Sequence, residues 1–241
     1  MRYGIFSDIH GNLEAFEVAI GALLNERIDK FLCVGDIVGY GADPAECVKK
    51  TRSLNPVIVC GNHDAASVGL TDIRYFNEVA RQAVLWTQKN LSQKDMIFLK
   101  GLDLVYKNQH LTLAHGTLHE PEEFHYMFDR NAAVATFGLM ETQICFVGHS
   151  HVPGIFSYKG RHLSYLYREK VRISKGERMI VNVGSIGQPR DGDPRLCFCV
   201  YDTDNGSVEL KKLSYDVAKT QKKIINAGLP CFLADRLSSG V

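Results

Sequence analysis

The chain has 241 residues, with 28 Lys plus Arg against 27 Asp plus Glu and seven Cys. That length is enough for one large domain with its own core, and the charge balance excludes a global field that would recruit long nucleic acid or an acidic membrane. No apolar stretch approaches the ~20 residues of a membrane span, and the N-terminus enters a strand without a signal-peptide pattern. With most cysteines inside apolar runs, the chain reads as cytoplasmic with reduced thiols.

In chain order, the run Gly4-Ile5-Phe6 reads as a buried strand and leads into Asp8-x-His10. Asn12 can cap a helix in which Leu13, Phe16, Ile20, Leu23 and Leu24 form an apolar stripe. Phe31-Leu32-Cys33-Val34 is a second strand and ends at Gly35-Asp36. Asp43-Pro44-Ala45-Glu46 opens a helix with a cap, a first-turn proline and an acid at the third position. Val57-Ile58-Val59-Cys60 then delivers Gly61-Asn62-His63-Asp64. Alternating strand and helix across residues 3–60 predicts a parallel sheet.

Between 64 and 109 the pattern turns helical, through Tyr75, Val79, Ala83 and Trp86 and then a cap at Ser92. This predicts an insertion lying over the site. Leu111-Thr112-Leu113-Ala114 and Ile144-Cys145-Phe146-Val147 are strands that precede His115-Gly116 and Gly148-His149-Ser150-His151. Strands at Met179–Val183, Leu196–Tyr201 and Val208–Leu213 are separated by Gly-Asp-Pro and Asp-Asn-Gly turns, as in hairpins. Asp216 caps a polar helix that ends at Gly228. Cys197-x-Cys199 places two sulfurs on one strand face, where core packing accounts for them. One α/β domain over 1–241 with two packed sheets is the economical reading.

Five strands thus deliver Asp, His and Asn side chains at their C-terminal ends, the edge where layered α/β folds build sites. Asp8, His10, Asp36, Asn62, His115, His149 and His151 form a mixed nitrogen and oxygen ligand set. Imidazole favours Mn, Fe, Zn, Co or Ni over the all-oxygen cages of Ca²⁺ and Mg²⁺. The set is too large for one tetrahedral ion and matches two ions sharing a carboxylate. Two ions held ~3.5–4 Å apart can activate water and clamp a phosphoryl group for in-line attack. Two divalent ions against Asp8 and Asp36 leave a net positive charge, which suits an anionic substrate.

The order Asp-x-His, Gly-Asp, Gly-Asn-His-Asp, His-Gly, Gly-His-x-His resembles the calcineurin-like metallophosphoesterase family. The likeness covers nearly the whole chain and implies two mixed β-sheets flanked by helices, in a four-layer α/β/β/α sandwich. It also implies that Asp8, His10, Asp36 and His151 hold one divalent transition-metal ion (Mn, Fe, Zn or Ni). Asp36, Asn62, His115 and His149 would hold the other, with Asp36 as the bridge. By the same resemblance Asn62 also reaches the substrate phosphate, and His63 lies beside the leaving group.

Departures from that pattern point to the substrate. The family's phosphoprotein phosphatases carry an Asp three residues after the bridging Asp, followed by an Arg. Gly39 and Tyr40 stand there in this chain, so His63 lacks its usual carboxylate partner and the first phosphate-gripping Arg is absent. The segment Gly184-Ser185-Ile186-Gly187-Gln188-Pro189-Arg190-Asp191-Gly192-Asp193-Pro194-Arg195 resembles one in the small bacterial phosphodiesterase branch, and Arg190, ahead of Arg195, could supply a guanidinium in compensation. Asn62, His63, Arg190 and Tyr40 are therefore the candidate substrate-facing residues. His119 and His125 follow the His115 loop closely and are candidates to line the pocket.

The expected function is hydrolysis of phosphodiester or phosphoanhydride bonds in a small phosphorylated, nucleotide-like substrate. The alternatives are a phosphomonoesterase or phosphoprotein phosphatase, and a non-catalytic scaffold of the same fold.

Overall fold

The computed structural model describes residues 1–241. The apolar runs become β1 (Arg2–Phe6), β2 (Lys30–Cys33), β3 (Val57–Ile58), β5 (Thr112–Ala114) and β6 (Ile144–Val147). Seven further strands complete two sheets: β4 (Val105–Lys107), β7 (Gly154–Lys159), β8 (His162–Leu166), β9 (Lys170–Arg172), β10 (Glu177–Asn182), β11 (Leu196–Asp202) and β12 (Ser207–Leu213). The helices are α1 (Leu13–Asn25), α2 (Pro44–Ser53), α3 (Asn62–Ser67), α4 (Glu78–Asn90), α5 (Gln93–Lys100), α6 (Arg130–Leu139), α7 (Val217–Asn226) and α8 (Cys231–Asp235).

One six-stranded sheet runs β3-β2-β1-β11-β12-β9 and the other β4-β5-β6-β10-β7-β8. Both are mixed. β1, β2 and β3 are parallel in the first sheet, as are β5, β6 and β10 in the second, and antiparallel strands extend each. Side chains alternate across each pleat, so every central strand feeds two cores. Ile5, Leu32, Phe146, Val181 and Cys199 fill the layer between the sheets. Phe6, Cys33 and Phe198 face the other way, onto Phe16 and Leu23 of α1 and Val48 of α2. Ile180 and Val147 pack on Phe137 of α6. The result is helices on both outer faces of two stacked sheets.

Three of the expected caps form, whereas Asp43 heads α2 without a side-chain cap bond because its carboxylate pairs with Lys223 (2.9 Å). Asn12 accepts the Ala15 N–H (3.1 Å), Ser92 that of Asp95 (3.2 Å) and Asp216 that of Lys219 (2.9 Å). Cys197 and Cys199 are buried free thiols facing the inter-sheet core. No helix is long and apolar enough to cross a membrane.

Three further expectations need correction. Leu24 falls outside the buried face of α1 and is 62% exposed, since Leu23 already takes that turn of the helix into the core. The segment between β10 and β11 is no hairpin, because those strands lie in different sheets. Residues 183–195 instead cross from one sheet to the other, and their backbone is claimed by the β1 turn. Ile186 and Gly187 N–H donate to the Ser7 and Asp8 carbonyls (3.0 and 2.8 Å). Tyr75 does not belong to the α4 stripe. It sits in a 3-10 turn before that helix and is 86% exposed.

Candidate metal centre

Every candidate ligand lies within four residues of a strand's C-terminal end: Asp8 and His10 after β1, Asp36 after β2, Asn62 after β3, His115 after β5, and His149 and His151 after β6. The first three strands belong to one sheet and the last two to the other. The site is therefore built where the edges of both sheets meet. To turn the side chains inward so soon, Asp8, His10, Asp36, His149 and His151 all take left-handed backbone, with φ of 53°, 49°, 52°, 65° and 60°. Such conformations cost about 1–3 kcal/mol each and persist only where the surroundings hold them. The surroundings do so here through crossed backbone bonds, Asp8 N–H to the Gly35 carbonyl and His10 N–H to that of Asp36, both 3.0 Å.

Each carboxylate is held by one oxygen. Asp8 Oδ2 accepts the His149 N–H (3.2 Å) and Asp36 Oδ1 the His63 N–H (2.8 Å). Asp8 Oδ1 and Asp36 Oδ2 are buried without any hydrogen-bond partner. The imidazoles are held in a similar way, by one nitrogen. Nδ1 of His10, His115 and His151 lies 3.1, 2.7 and 2.6 Å from the carbonyls of Val38, Val34 and Gln188. A carbonyl only accepts, so each Nδ1 carries the proton, and in the neutral ring Nε2 is a bare lone pair.

Those lone pairs converge. His10 Nε2 and His151 Nε2 are 3.1 Å apart, and His151 Nε2 is 3.1 Å from Asp8 Oδ1. His115 Nε2 is 3.2 Å from Asp36 Oδ2 and 3.2 Å from Asn62 Oδ1. Acceptors facing acceptors in a buried site repel one another unless a cation stands among them. Burial pushes His10 and His149 well below the usual imidazole range. Against the opposing effect of burial, His151 and His115 hold Asp8 ionised, and His115 and His63 do the same for Asp36. His115 alone is raised, to about 9, because Asp36 overrides its burial. A cation at that place would take over the role of that proton. The donor set thus fits divalent transition metals.

The ligands fall into two groups, Asp8, His10 and His151, and Asp36, His115 and His149, each with donor atoms within 4.8 Å of one another. Asp36 also groups with His10 and His63, so it adjoins both sets. Gly148 cannot carry a side chain: a Cβ there would meet Asp8 Oδ2 at 2.5 Å.

A cleft of about 410 Å³ opens beside the centre, and Asn62, His63, Tyr40 and Arg190 line it. His63 Nδ1 is buried with no partner, and a Cβ at Gly39 would sit 2.6 Å from it. The ring leans on Gly39 in the place where a carboxylate would otherwise stand. Burial holds His63 down at about 4. Tyr40 and Phe76 pack on the same ring, with centroids 4.3 and 5.2 Å away. Arg190 donates to Gln188 Oε1 (2.8 Å), with its guanidinium 5.8 Å from the Tyr40 ring centroid. Arg195 instead pairs with Asp193 (2.7 Å) on the surface. His125 lines the cleft, whereas His119 does not.

Of residues 64–109, the stretch from Thr71 to Ala80 contributes to the wall, while α5 packs on α2. Two neighbours of the centre carry no signal in the sequence. Tyr126 stacks on His149 (3.8 Å, 15°), and Arg236 reaches the same Gln188 Oε1 as Arg190 (3.0 Å).

Comparison with known proteins agrees with this geometry. Residues 1–206 match the calcineurin-like phosphoesterase superfamily domain. An uncharacterised protein of Methanocaldococcus jannaschii is 37% identical over 98% of this chain and 97% of its own. The structure of a metallophosphoesterase from Sphaerobacter thermophilus superposes with a TM-score of 0.87 at 36% identity, covering 100% of this chain and 99% of that one. A hypothetical protein from Pyrococcus horikoshii OT3 shares the fold, with a TM-score of 0.80 at 18% identity over 100% and 98%.

Asp64 is the last residue of the Gly61-Asn62-His63-Asp64 motif and braces the centre. Its Oδ1 accepts the Ile37 and Val38 N–H groups (2.9 and 3.2 Å) and its Oδ2 that of Gly61 (3.2 Å). Burial, and next to it the charge of Asp36, push its pKa up to about 7. Asp64→Asn would set an NH2 against at least one backbone N–H. A loss of about 1–3 kcal/mol in denaturant unfolding is expected. Unchanged stability would show that Asp64 is no brace.

Proposed function

The chain belongs to the calcineurin-like phosphoesterase superfamily, and from that premise we propose a metal-dependent hydrolase of phosphodiester or phosphoanhydride bonds in a small, nucleotide-like substrate. The observation that carries this reading is the bare flank of Asp36. Gly39 leaves His63 Nδ1 unpartnered, and Tyr40 stands where a guanidinium would grip a phosphate. A monoester dianion brings an extra charge and gains most from several cations. A diester monoanion needs fewer, and its leaving group of low pKa needs little protonation. A phosphomonoesterase is the alternative, and the same flank argues against it.

In this reading Asp8, His10, Asp36 and His151 hold one divalent ion, and Asp36, Asn62, His115 and His149 a second, with Mn, Fe, Zn or Ni as candidates. Such ions supply charge neutralisation at the phosphoryl oxygens and activation of water. The protein's own groups do the rest. Arg190, steadied by Gln188, takes the non-bridging oxygens from the cleft side. His63 turns Nδ1 to Gly39, so Nε2 is the atom it offers the leaving oxygen. Tyr75, Phe76 and Tyr126 give the cleft aromatic surface for a nucleobase. Free thiols throughout the chain fit a reducing, cytoplasmic location.

Four outcomes are expected. Metal-loaded protein should keep about two equivalents through desalting, measured by elemental analysis, and Asp36→Asn should lose most of both. One retained ion, indifferent to Asp36→Asn, would refute the shared carboxylate. His63→Ala should slow esters with poor leaving groups more than activated aryl esters. Its loss should lie near the low end of the ~10²–10⁴-fold range of general acid–base groups. Equal losses on both ester types would assign His63 to positioning.

Arg190→Ala should lower kcat/KM on diesters by about ten- to a hundredfold, the ~1.5–3 kcal/mol of a charge-assisted bond, with metal content unchanged. The wild type, tested with each metal, should prefer bis-p-nitrophenyl phosphate and cyclic or dinucleotide substrates to p-nitrophenyl phosphate. The reverse preference would make it a phosphomonoesterase.

A further inference from the structure

At the rim of the cleft, the chain after His115 doubles back on itself. The Thr117 N–H donates to the His125 carbonyl (3.0 Å) and the Thr117 hydroxyl to that of His119 (2.9 Å). Between them the backbone takes left-handed turns at Glu120 and Phe124, with φ of 47° and 51°. The loop brings His119, Glu120 and His125 together, with donor atoms within 4.8 Å of one another. His119 Nδ1 and His125 Nε2 lie 3.4 and 3.3 Å from the same oxygen, Oε2 of Glu120.

These spacings are informative. Charge-assisted N–H···O bonds close to about 2.7–2.9 Å, and both contacts are longer. Ligand atoms about 2.0–2.2 Å from a tetrahedral zinc ion stand about 3.3–3.6 Å apart, and both imidazole–carboxylate contacts fall in that range. No Lys or Arg pairs with Glu120, whose ion pairs are both with these imidazoles. All three side chains are about half exposed, at 56, 58 and 51%, which leaves room for water to complete a coordination shell.

We propose that His119, Glu120 and His125 form a separate site for a divalent ion of the zinc type, on the rim of the cleft and independent of the buried centre. Two imidazoles and a carboxylate are a known zinc ligand set, and an exposed loop offers it with an open fourth position. The site is linked to the cleft, because Glu122 to Tyr126 form part of its wall and Tyr126 stacks on His149. An ion at the rim would pin that wall.

The test is equilibrium dialysis of the full chain against Zn²⁺ alone, followed by elemental analysis without desalting. The wild type should take up a third equivalent beyond those retained through desalting. His119→Ala, His125→Ala and Glu120→Gln should each weaken that equivalent by more than the ~10- to 100-fold that loss of an outer-shell partner costs. Glu122→Gln, a neighbouring exposed acid outside the trio, should leave it in place. These side chains are exposed, so the variants should keep their fold. Asp36→Asn, which empties the buried centre, should still bind at the rim, so failure of the dinuclear reading and failure of this one are separable. Uptake that stops at the buried centre, or a third equivalent lost equally in Glu122→Gln, would overturn the proposal.

Discussion

Two imidazole nitrogens, His10 Nε2 and His151 Nε2, face each other at 3.1 Å with the unpartnered Oδ1 of Asp8 beside His151. Neither nitrogen can donate to the other while both Nδ1 protons are committed to carbonyls. This standoff of lone pairs is the interaction around which the rest is arranged. Each side chain is denied its alternative orientation by a backbone group from a different strand end. Val38 orients His10, Val34 orients His115, Gln188 orients His151, and the His149 N–H orients Asp8. A metal centre assembled this way needs few supporting side chains. The sheets supply the second layer of contacts, which is how ligand rotamers and tautomers become fixed.

The cost of that arrangement appears as left-handed backbone at the ligands, and the rest of the chain is placed to hold it. The 183–195 crossover threads between the sheets and bonds to the β1 turn, with the Ser185 hydroxyl donating to the Asp8 carbonyl (2.9 Å). Lys212, partly buried, grips Asp191 and Asp193 from β12 and so anchors the far end of that crossover. On the other side, Lys223 of α7 bridges Glu14 of α1 and Asp43 at the start of α2 (2.7 and 2.9 Å). Gln188 joins these parts. Its carbonyl sets the tautomer of His151, and its amide oxygen receives Arg190 and Arg236. The candidate ligand His151 and the cleft-lining Arg190 are thus tied to one residue.

The legible part of this design was the part in which one strand buries both faces. β1, β2, β5 and β6 read as continuous apolar runs because helices or a second sheet cover each side, and the ligand motifs directly follow them. β8 mixes exposed residues with buried and half-buried ones, and β4 and β9 are mostly exposed, so no run announces them. α3 begins inside the Gly61-Asn62-His63-Asp64 motif, where the ligand signal masks the helix. The crossover was misread because Gly-Asp-Pro is turn chemistry in either setting. Whether the next strand pairs locally or joins another sheet depends on what bonds the intervening backbone. Tyr126 and Arg236 were invisible because stacking on His149 and sharing Gln188 are contacts between residues far apart in the chain.

Gly39 shows how a substitution read from sequence gains a physical meaning only in three dimensions. As an absence, it removes a carboxylate from His63. As a geometry, it lets the imidazole occupy that space, with Nδ1 so near the glycine that any side chain would displace the ring. His63 is then gripped by Tyr40, Phe76 and His10 rather than by a charge. A carboxylate partner favours the imidazolium, whereas an aromatic enclosure favours the neutral ring. The surroundings therefore shift His63 from charge donation toward shape and hydrogen bonding. Arg190 is left as the cleft's single fixed positive charge outside the metal ligands, among the residues that line it. On the proposed reading, one guanidinium, aromatic walls and a neutral histidine would suit a substrate with one negative charge at the reacting phosphorus and a planar group attached to it, with Glu122 and Glu123 of the same cleft adding to the selection against a second negative charge.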